Sequence, residues 1–262
     1  MSGQTQEVVF QNVSKVFGKP GEGENSFTAV DDLSFTVSKG EMVAVLGKTG
    51  CGKSTMFGLL SGLLAPSAGT ILVDGHNPFA EFEWFRGKIG IVFQNDRLLP
   101  WRTAVENVEY GLELLHVDSS KRRRAALDWL DRLGLAAHAN DYPHALSGGM
   151  RQRVSIARAF AVNPDVLLCD EPFSALDEVT AERLRQEYLS LVRENGKTSI
   201  FITHSISEAL QIGRHIMVFH RPARIAYECF LRAEMSDAER EATREKIIAA
   251  LSHSPAATGT VQ

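Results

Sequence analysis

The chain has 262 residues, 44% hydrophobic and 23% charged, enough for one large domain or two small ones with a sizeable core. Its 28 Lys and Arg against 32 Asp and Glu give a net charge of −4, which supplies no general reason to expect nucleic acid as a partner. The three cysteines, Cys51, Cys169 and Cys229, make neither a paired framework nor a C-x-x-C site, so a reducing, cytosolic setting is expected.

The N-terminus, MSGQTQEVVF, carries no basic leader ahead of an apolar run, and no secretory signal is expected. No stretch reaches the roughly 18 apolar residues of a membrane span, so any membrane role is expected to be peripheral. Residues 7–13 and 32–37 read as strands, joined by a glycine-rich, flexible connection at 18–25. Phe17 sits just ahead of that connection, where it could stack on a nucleotide base or fill the core. Residues 42–46 are uninterruptedly apolar, as for a strand buried on both faces.

That strand leads into Gly47, Lys48, Thr49, Gly50, Cys51, Gly52, Lys53, Ser54 and Thr55, followed by a helix-like segment to Leu64. Strand, glycine-rich loop and helix form the context in which G-x-x-x-x-G-K-S binds phosphate. Glycines let successive backbone N–H groups point into one cavity, at the positive end of a helix. Lys53 is expected to reach the β- and γ-phosphates of a nucleoside triphosphate, and Ser54 to offer its hydroxyl to Mg²⁺. Cys51, near a helix start and Lys53, is expected to have a lowered thiol pKa, with alkylation blocking nucleotide binding and nucleotide protecting the thiol.

Residues 65–69 break the chain, 69–74 read as a strand, and 88–93 form another that ends at Gln94. From 95 to 161 the pattern turns mostly helical. One helix starts at Asp118 or Ser119 and stops at Gly134, and its basic run 121–124 reads as a solvated face. Ser147, Gly148 and Gly149 open another helix, a second candidate anion-binding N-terminus. Residues 166–169 form an apolar strand that delivers Asp170, a candidate Mg²⁺ partner, and Glu171, which can polarise a water. A helix over 180–193, a strand over 199–203 ending at His204, a short helix over 206–212 and a strand within 215–220 follow. Alternation of this kind predicts an open α/β sheet. Beyond Met235 the chain reads as a charged helix to about His253 and then as a disordered end.

The segment 146–152, LSGGMRQ, resembles the signature motif of ABC ATPases, and the remaining pieces occur in that family's order. They are the loop at 47–55, Gln94, VLLCDE at 166–171, Ser174-Ala175-Leu176-Asp177, and His204; together the resemblance covers roughly residues 7–221. It implies a P-loop NTPase core, a mostly parallel sheet flanked by helices, with an N-terminal antiparallel β part and an inserted helical subdomain. The expected division is 1–94 plus 162–221 for the ATP-binding core, 95–161 for the helical signature subdomain and 222–262 for a helical tail. It further implies ATP and Mg²⁺, and a head-to-tail homodimer in which ATP lies between the phosphate loop of one copy and Ser147–Gly149 of the other. Glu171 becomes the general base and His204 a γ-phosphate contact. Gln94 touches Mg²⁺ and the attacking water, Phe17 stacks on adenine and Asp177 links the two sites. Ser205, where the family usually has Asp, and Cys169, where a larger apolar residue is common, depart from the pattern without removing a catalytic group.

Residues 94–108, with Leu-Leu-Pro-Trp followed by Glu-Asn-Val, are similar to importer ATPases of the nitrate/sulfonate/taurine group, whose relatives also take up pyrimidine vitamin precursors. The implied partners are two transmembrane permease subunits, docked near an exposed Leu98, Leu99 and Trp101, and indirectly a solute-binding protein. The implied place is the cytoplasmic face of the membrane. A soluble ABC ATPase acting on ribosomes or DNA is the alternative, though such proteins usually carry two motif sets or a long inserted arm.

Overall fold

The computed structural model describes residues 6–18, 26–232 and 234–252. The chain opens with β1 (Gln6–Phe17), β2 (Phe27–Ser38), β3 (Met42–Gly47), α1 (Lys53–Leu60), β4 (Ala68–Val73) and β5 (Ile89–Val92). Three helices follow, α2 (Ala104–Leu114), α3 (Ser119–Arg132) and α4 (Gly148–Ala161). The second half runs β6 (Val166–Asp170), α5 (Glu178–Glu194), β7 (Thr198–Thr203), α6 (Ile206–Ile212), β8 (His215–His220), β9 (Arg224–Phe230) and α7 (Asp237–Ser252).

A strand apolar at every position needs cover on both faces and partners on both edges. β3 has all four: it pairs in parallel with β7 and β8 at the centre of a six-stranded sheet ordered β5-β6-β7-β3-β8-β9. Side chains alternate across this sheet. Val43, Val45, Val166, Leu168, Ile200 and Ile202 face one core, shared with α1 and a second sheet. On the other face, Leu167, Cys169 and Phe201 meet the helices α2 to α5, and Ala44 and Leu46 meet α6 and α7. The second sheet is antiparallel, ordered β2-β1-β4, and turns Val8, Phe10, Leu33, Phe35 and Ile71 onto α1. Phe10 and Phe35 are cross-strand partners whose rings stack with centroids 4.5 Å apart. α1 is therefore held between two sheets, which fixes the loop before it.

Three sequence expectations change. β1 and β2 are each 12 residues long, because the two strands keep pairing out to Phe17 and Phe27. The helix after the phosphate loop begins at Lys53 and ends at Leu60. The region from 222 is not wholly helical. Arg224–Phe230 alternates exposed and half-buried residues and adds to β8 as an antiparallel edge strand, with Tyr227 and Cys229 packing inward. Period-two alternation needs only one covered face, and α7 supplies that cover through Ile247, Ala250 and Leu251. The expected disordered end lies outside the described residues.

At the end of the sheet opposite the phosphate loop, His215 is buried between two carboxylates. Its Nε2 lies 2.6 Å from Glu228 Oε1 and its Nδ1 3.1 Å from Glu41 Oε1, the latter off hydrogen-bond geometry. Burial is the largest single influence and pulls the imidazole pKa down. The two carboxylates together outweigh it, so the net shift is upward. A raised imidazole pKa gives stability that is complete below the unfolded value near 6.5 and is lost as pH rises through the folded value. The melting temperature is expected to fall from pH 6 to pH 9, and His215→Gln to flatten that fall while lowering the melting temperature at pH 6. Calorimetry across this range checks it; parallel curves for the two proteins would rule it out.

Candidate active site

β3 ends at Gly47, and the loop that follows curls back on itself. A Cβ at Gly47 would lie 2.4 Å from Cys51 Sγ and 3.0 Å from Phe219 O, so only glycine leaves room for the return. Gly52 has φ +104°, and a Cβ there would meet Ala29 O at 2.5 Å, where β2 crosses behind the loop. Gly52 is also the N-cap of α1 and offers no side-chain cap, so the first N–H groups of that helix are left for an external acceptor. Lys53 is buried, and its Nζ donates to Gly47 O at 2.6 Å and Lys48 O at 3.2 Å. Its ammonium is thereby held across the mouth of the loop, 4.0 Å from Glu171 Oε1.

A cavity of about 430 Å³ opens over this loop. The β3–α1 connection contributes Thr49, Gly50, Gly52, Lys53, Ser54 and Thr55; the end of β5 contributes Gln94; the end of β6 contributes Asp170 and Glu171; the start of β2 contributes Phe27. The carboxyl ends of parallel strands thus converge on one crevice, as open α/β sheets place their sites. The Asp170 carboxyl is pushed up by burial first and by the Glu171 charge next, against Lys53 and Arg97. A cation bound beside it would reverse that shift. Among the described residues no group of three or more His, Cys, Asp and Glu could hold a metal ion. The donors that do face the cavity, the hydroxyl of Ser54, the amide of Gln94 and the carboxylate of Asp170, fit Mg²⁺, which keeps several waters and takes few protein ligands.

Glu171 has φ +45°, a left-handed conformation uncommon outside glycine, held by its N–H on Ile202 O at 2.9 Å. Its Oε2 lies 2.8 Å from Nδ1 of His204; a carboxylate only accepts, so Nδ1 carries the proton. His204 itself is exposed.

Other expected residues lie elsewhere. Ser147 Oγ caps α4 by accepting from Met150 N, and a Cβ at Gly149 would lie 2.9 Å from Thr180 Cγ2. Ser147 and Gly148 are exposed and Gly149 is half-buried beside the start of α5, which Asp177 caps by accepting from Thr180 N at 3.0 Å. That bond holds the Asp177 carboxyl below its ordinary range. None of 147–149, Asp177 or Phe17 lines the cavity over the phosphate loop. Phe17 instead stacks on its cross-strand partner Phe27, with centroids 6.4 Å apart and planes at 11°, and Phe27 is the ring that faces the cavity. Phe27 was missed because it lies on the far side of the glycine-rich connection, and its pairing with Phe17 is a matter of register.

Two expectations are corrected. Cys51 is buried, its sulfur turned into the closed side of the loop against Gly47, and burial raises its thiol pKa in spite of Lys53. Leu98 is not exposed. It packs in the helical core, and the backbone of half-buried Leu99 is bonded at both ends to buried Asn107. Trp101 alone of the three is open, at 70% exposure.

Sequence reasoning also missed the ties between α4 and the residues on either side of Gln94. Gln152 Nε2 donates to Phe93 O, Arg151 Nε to Asp96 Oδ2, and Arg158 to the carbonyls of Asp96 and Arg97. Arg151 and Arg158 are seven residues apart on one helix face, a spacing that could have singled them out.

The chain was compared with known proteins. The family model described as ABC transporter matches residues 30–174. The taurine import ATP-binding protein TauB of Yersinia pestis bv. Antiqua (strain Antiqua) is 45% identical over 193 residues, covering 72% of this chain and 73% of that protein. TauB of Pelagibacter ubique (strain HTCC1062) is 40% identical over 223 residues, covering 85% and 82%. ProV of Escherichia coli (strain K12), a glycine betaine/proline betaine transport system ATP-binding protein, is 43% identical over 194 residues, covering 72% and 48%. Among solved structures, the bacterial ABC transporter cassette MJ0796, described as dimeric, superposes with a TM-score of 0.76 at 36% identity, over 87% of this chain and all of that one. The same cassette in a post-hydrolysis state bound to ADP and Pi gives 0.75 at 34% identity, with the same coverage. A phosphate loop, a strand-end Asp-Glu pair and a separate Ser-Gly-Gly helix start, on a fold shared with these cassettes, identify the chain as a member of the ABC transporter family, in its ATP-hydrolysing, ATP-binding subunit.

Proposed function

We propose that two copies of this chain pack head to tail and hydrolyse ATP at the seam, driving import of a small solute through a membrane permease. One observation carries the reading. The phosphate loop, Gln94, Asp170 and Glu171 meet in one cavity, while Ser147–Gly149, a second anion-ready helix start, lies outside it with Ser147 and Gly148 exposed. A second copy can bring its Ser147–Gly149 to that cavity, so each bound nucleotide is gripped from both sides.

In this reading the N–H groups of 49–55 and Lys53 hold the phosphates, and Phe27, backed by Phe17, stacks on adenine. Bound with ATP, Mg²⁺ neutralises charge on the phosphates, and Ser54, Gln94 and Asp170 are the residues to hold it. Glu171 accepts the proton of the attacking water. A new bond forms from that water's oxygen to the terminal phosphorus, the bond to the bridging oxygen breaks, and ADP and phosphate leave. His204 Nδ1–H orients Glu171, leaving the rest of its ring for the terminal phosphate.

No helix among the described residues is long and apolar enough to cross a membrane. We place the subunit peripherally, on the cytoplasmic face, against two transmembrane subunits that a solute-binding protein supplies, with no nucleic-acid partner. An apolar groove of about 600 Å³ between β5, α2 and α4, lined by Phe82, Ile89, Ile91, Leu114 and Val162, suits a helix from such a subunit. The names of the relatives favour a small sulfonate or betaine-like solute.

Glu171→Gln is expected to lower ATP turnover by roughly 10²–10⁴ without weakening ATP binding; turnover within twofold of the parent would refute the assignment. Phe27→Ala is expected to weaken ATP binding by about 1–3 kcal/mol, the usual worth of a base stack, and Phe17→Ala by less. Titration with a fluorescent ATP analogue measures both, and the reverse order would restore Phe17 as the stacking ring. Because the Cys51 thiol faces the back of the loop, iodoacetamide at pH 8 should label it far more slowly than free cysteine, with or without MgATP. Rapid labelling that MgATP suppresses would contradict the buried position.

A further inference from the structure

We infer that Thr203, Glu208 and Arg185 form a buried relay that positions His204 and ties it to the helix capped by Asp177. This assignment rests on His204 acting at the terminal phosphate. His204 is the first residue beyond β7 and stands between Thr203 and Ser205, the N-cap of α6. The Thr203 hydroxyl accepts from Ser205 N at 3.0 Å, so its own proton points to Glu208 Oε2, 2.5 Å away. The other oxygen of Glu208 accepts from Arg185 Nη2 at 3.2 Å. Arg185 lies on α5 and also donates to Gln211 Oε1 at 2.7 Å and to Glu182. One chain of bonds therefore runs from α5, through α6, to the backbone on both sides of His204.

The burial of this chain argues for a role beyond packing. Thr203 is 1% exposed, Arg185 2% and Glu208 8%, whereas the His204 side chain is 59% exposed. Burying a guanidinium and a carboxylate costs desolvation that apolar side chains of the same volume avoid, so such a pair is a weak source of stability. What it supplies is direction. The hydroxyl of Thr203 can satisfy Ser205 N and Glu208 together in only one orientation, and that orientation fixes where His204 leaves the strand. His204 in turn meets Glu171, whose backbone is held by Ile202 O on the same strand. Asp177, eight residues before Arg185 and outside the cavity, is placed by the same helix. Thr203, Glu208 and Arg185 are positioning residues, not catalytic ones.

The test compares Thr203→Val, Thr203→Ser, Glu208→Gln and His204→Ala by steady-state ATP hydrolysis of the full chain, with melting temperatures measured in parallel. Valine keeps the shape of threonine and removes the hydroxyl; serine keeps the hydroxyl. Thr203→Val is expected to lower kcat by about tenfold to a hundredfold, the scale of a small misplacement of a reacting group. Its KM for ATP should stay within about twofold, and Thr203→Ser should recover most of the loss. Glu208→Gln, whose amide oxygen can still accept from Thr203 but which gives up the charge facing Arg185, should fall between the two. The inference is overturned if Thr203→Val turns over ATP like the parent while His204→Ala does not. It is also overturned if kcat and ATP affinity fall together, or if serine fails to rescue. Full activity of His204→Ala would instead remove the reading of His204 on which the relay stands.

Discussion

An anion-binding loop works only while the N–H groups at its helix start stay free for the ligand and its backbone stays curled around them. That requirement governs this fold. Gly52 must be glycine because β2 passes directly behind it, and β2 passes there because the antiparallel sheet closes over α1. Gly47 must be glycine because the loop turns Cys51 inward to fill its own back. β7, which pairs with β3, and β6 beyond it deliver His204 and the pair Asp170 and Glu171 to the same end of the sheet. A buried lysine bonded to two carbonyls of its own loop keeps the cradle curled without filling the N–H groups of the helix start.

In the proposed reading such a cradle supplies one side of a nucleotide site, and the remaining features of the molecule connect that side to the rest of the chain. Gln94 belongs to the cavity, yet the residues on either side of it are bonded to α4 through Gln152 on Phe93 O and Arg151 and Arg158 on Asp96. α4 begins at Ser147, and its first turn packs on the first turn of α5. α5 carries Asp177 at one end and holds Arg185 against α6. Helices and charged hydrogen bonds, rather than loops alone, therefore connect the segment around Gln94 with Ser147 and α5. The apolar groove between α2, α4 and β5 lies along that route.

Much of this was legible in the sequence, for physical reasons. Residues 42–46 had to be a strand covered on both faces, and the glycine pattern that follows has few meanings after such a strand. Asp170 and Glu171 were marked by four apolar residues before them. What stayed hidden depends on register and on three-dimensional closure. Phe17 was visible as an aromatic beside a glycine-rich connection, whereas Phe27 faces the cavity only because β1 and β2 pair with those two residues opposite each other. Cys51 has the neighbours that lower a thiol pKa, yet it points away from solvent, and burial prevails. Leu98 reads as part of a docking surface because residues 94–108 resemble importer ATPases that meet a membrane subunit there; buried Asn107 ties that segment down and turns Leu98 into the helical core. β9 carried clear alternation in Arg224–Phe230, and the charged stretch after it drew the reading toward helix.

The central claim is that one nucleotide is held by the phosphate loop of one copy and by Ser147–Gly149 of another. Sedimentation of the hydrolysis-impaired Glu171→Gln protein, with and without a second change Ser147→Arg, addresses it most directly. The account predicts a dimer in MgATP for the single variant, a lone protomer without nucleotide, and a protomer that still binds ATP once Ser147→Arg is added. A dimer indifferent to Ser147→Arg, or a lone protomer at saturating MgATP in the single variant, would contradict it.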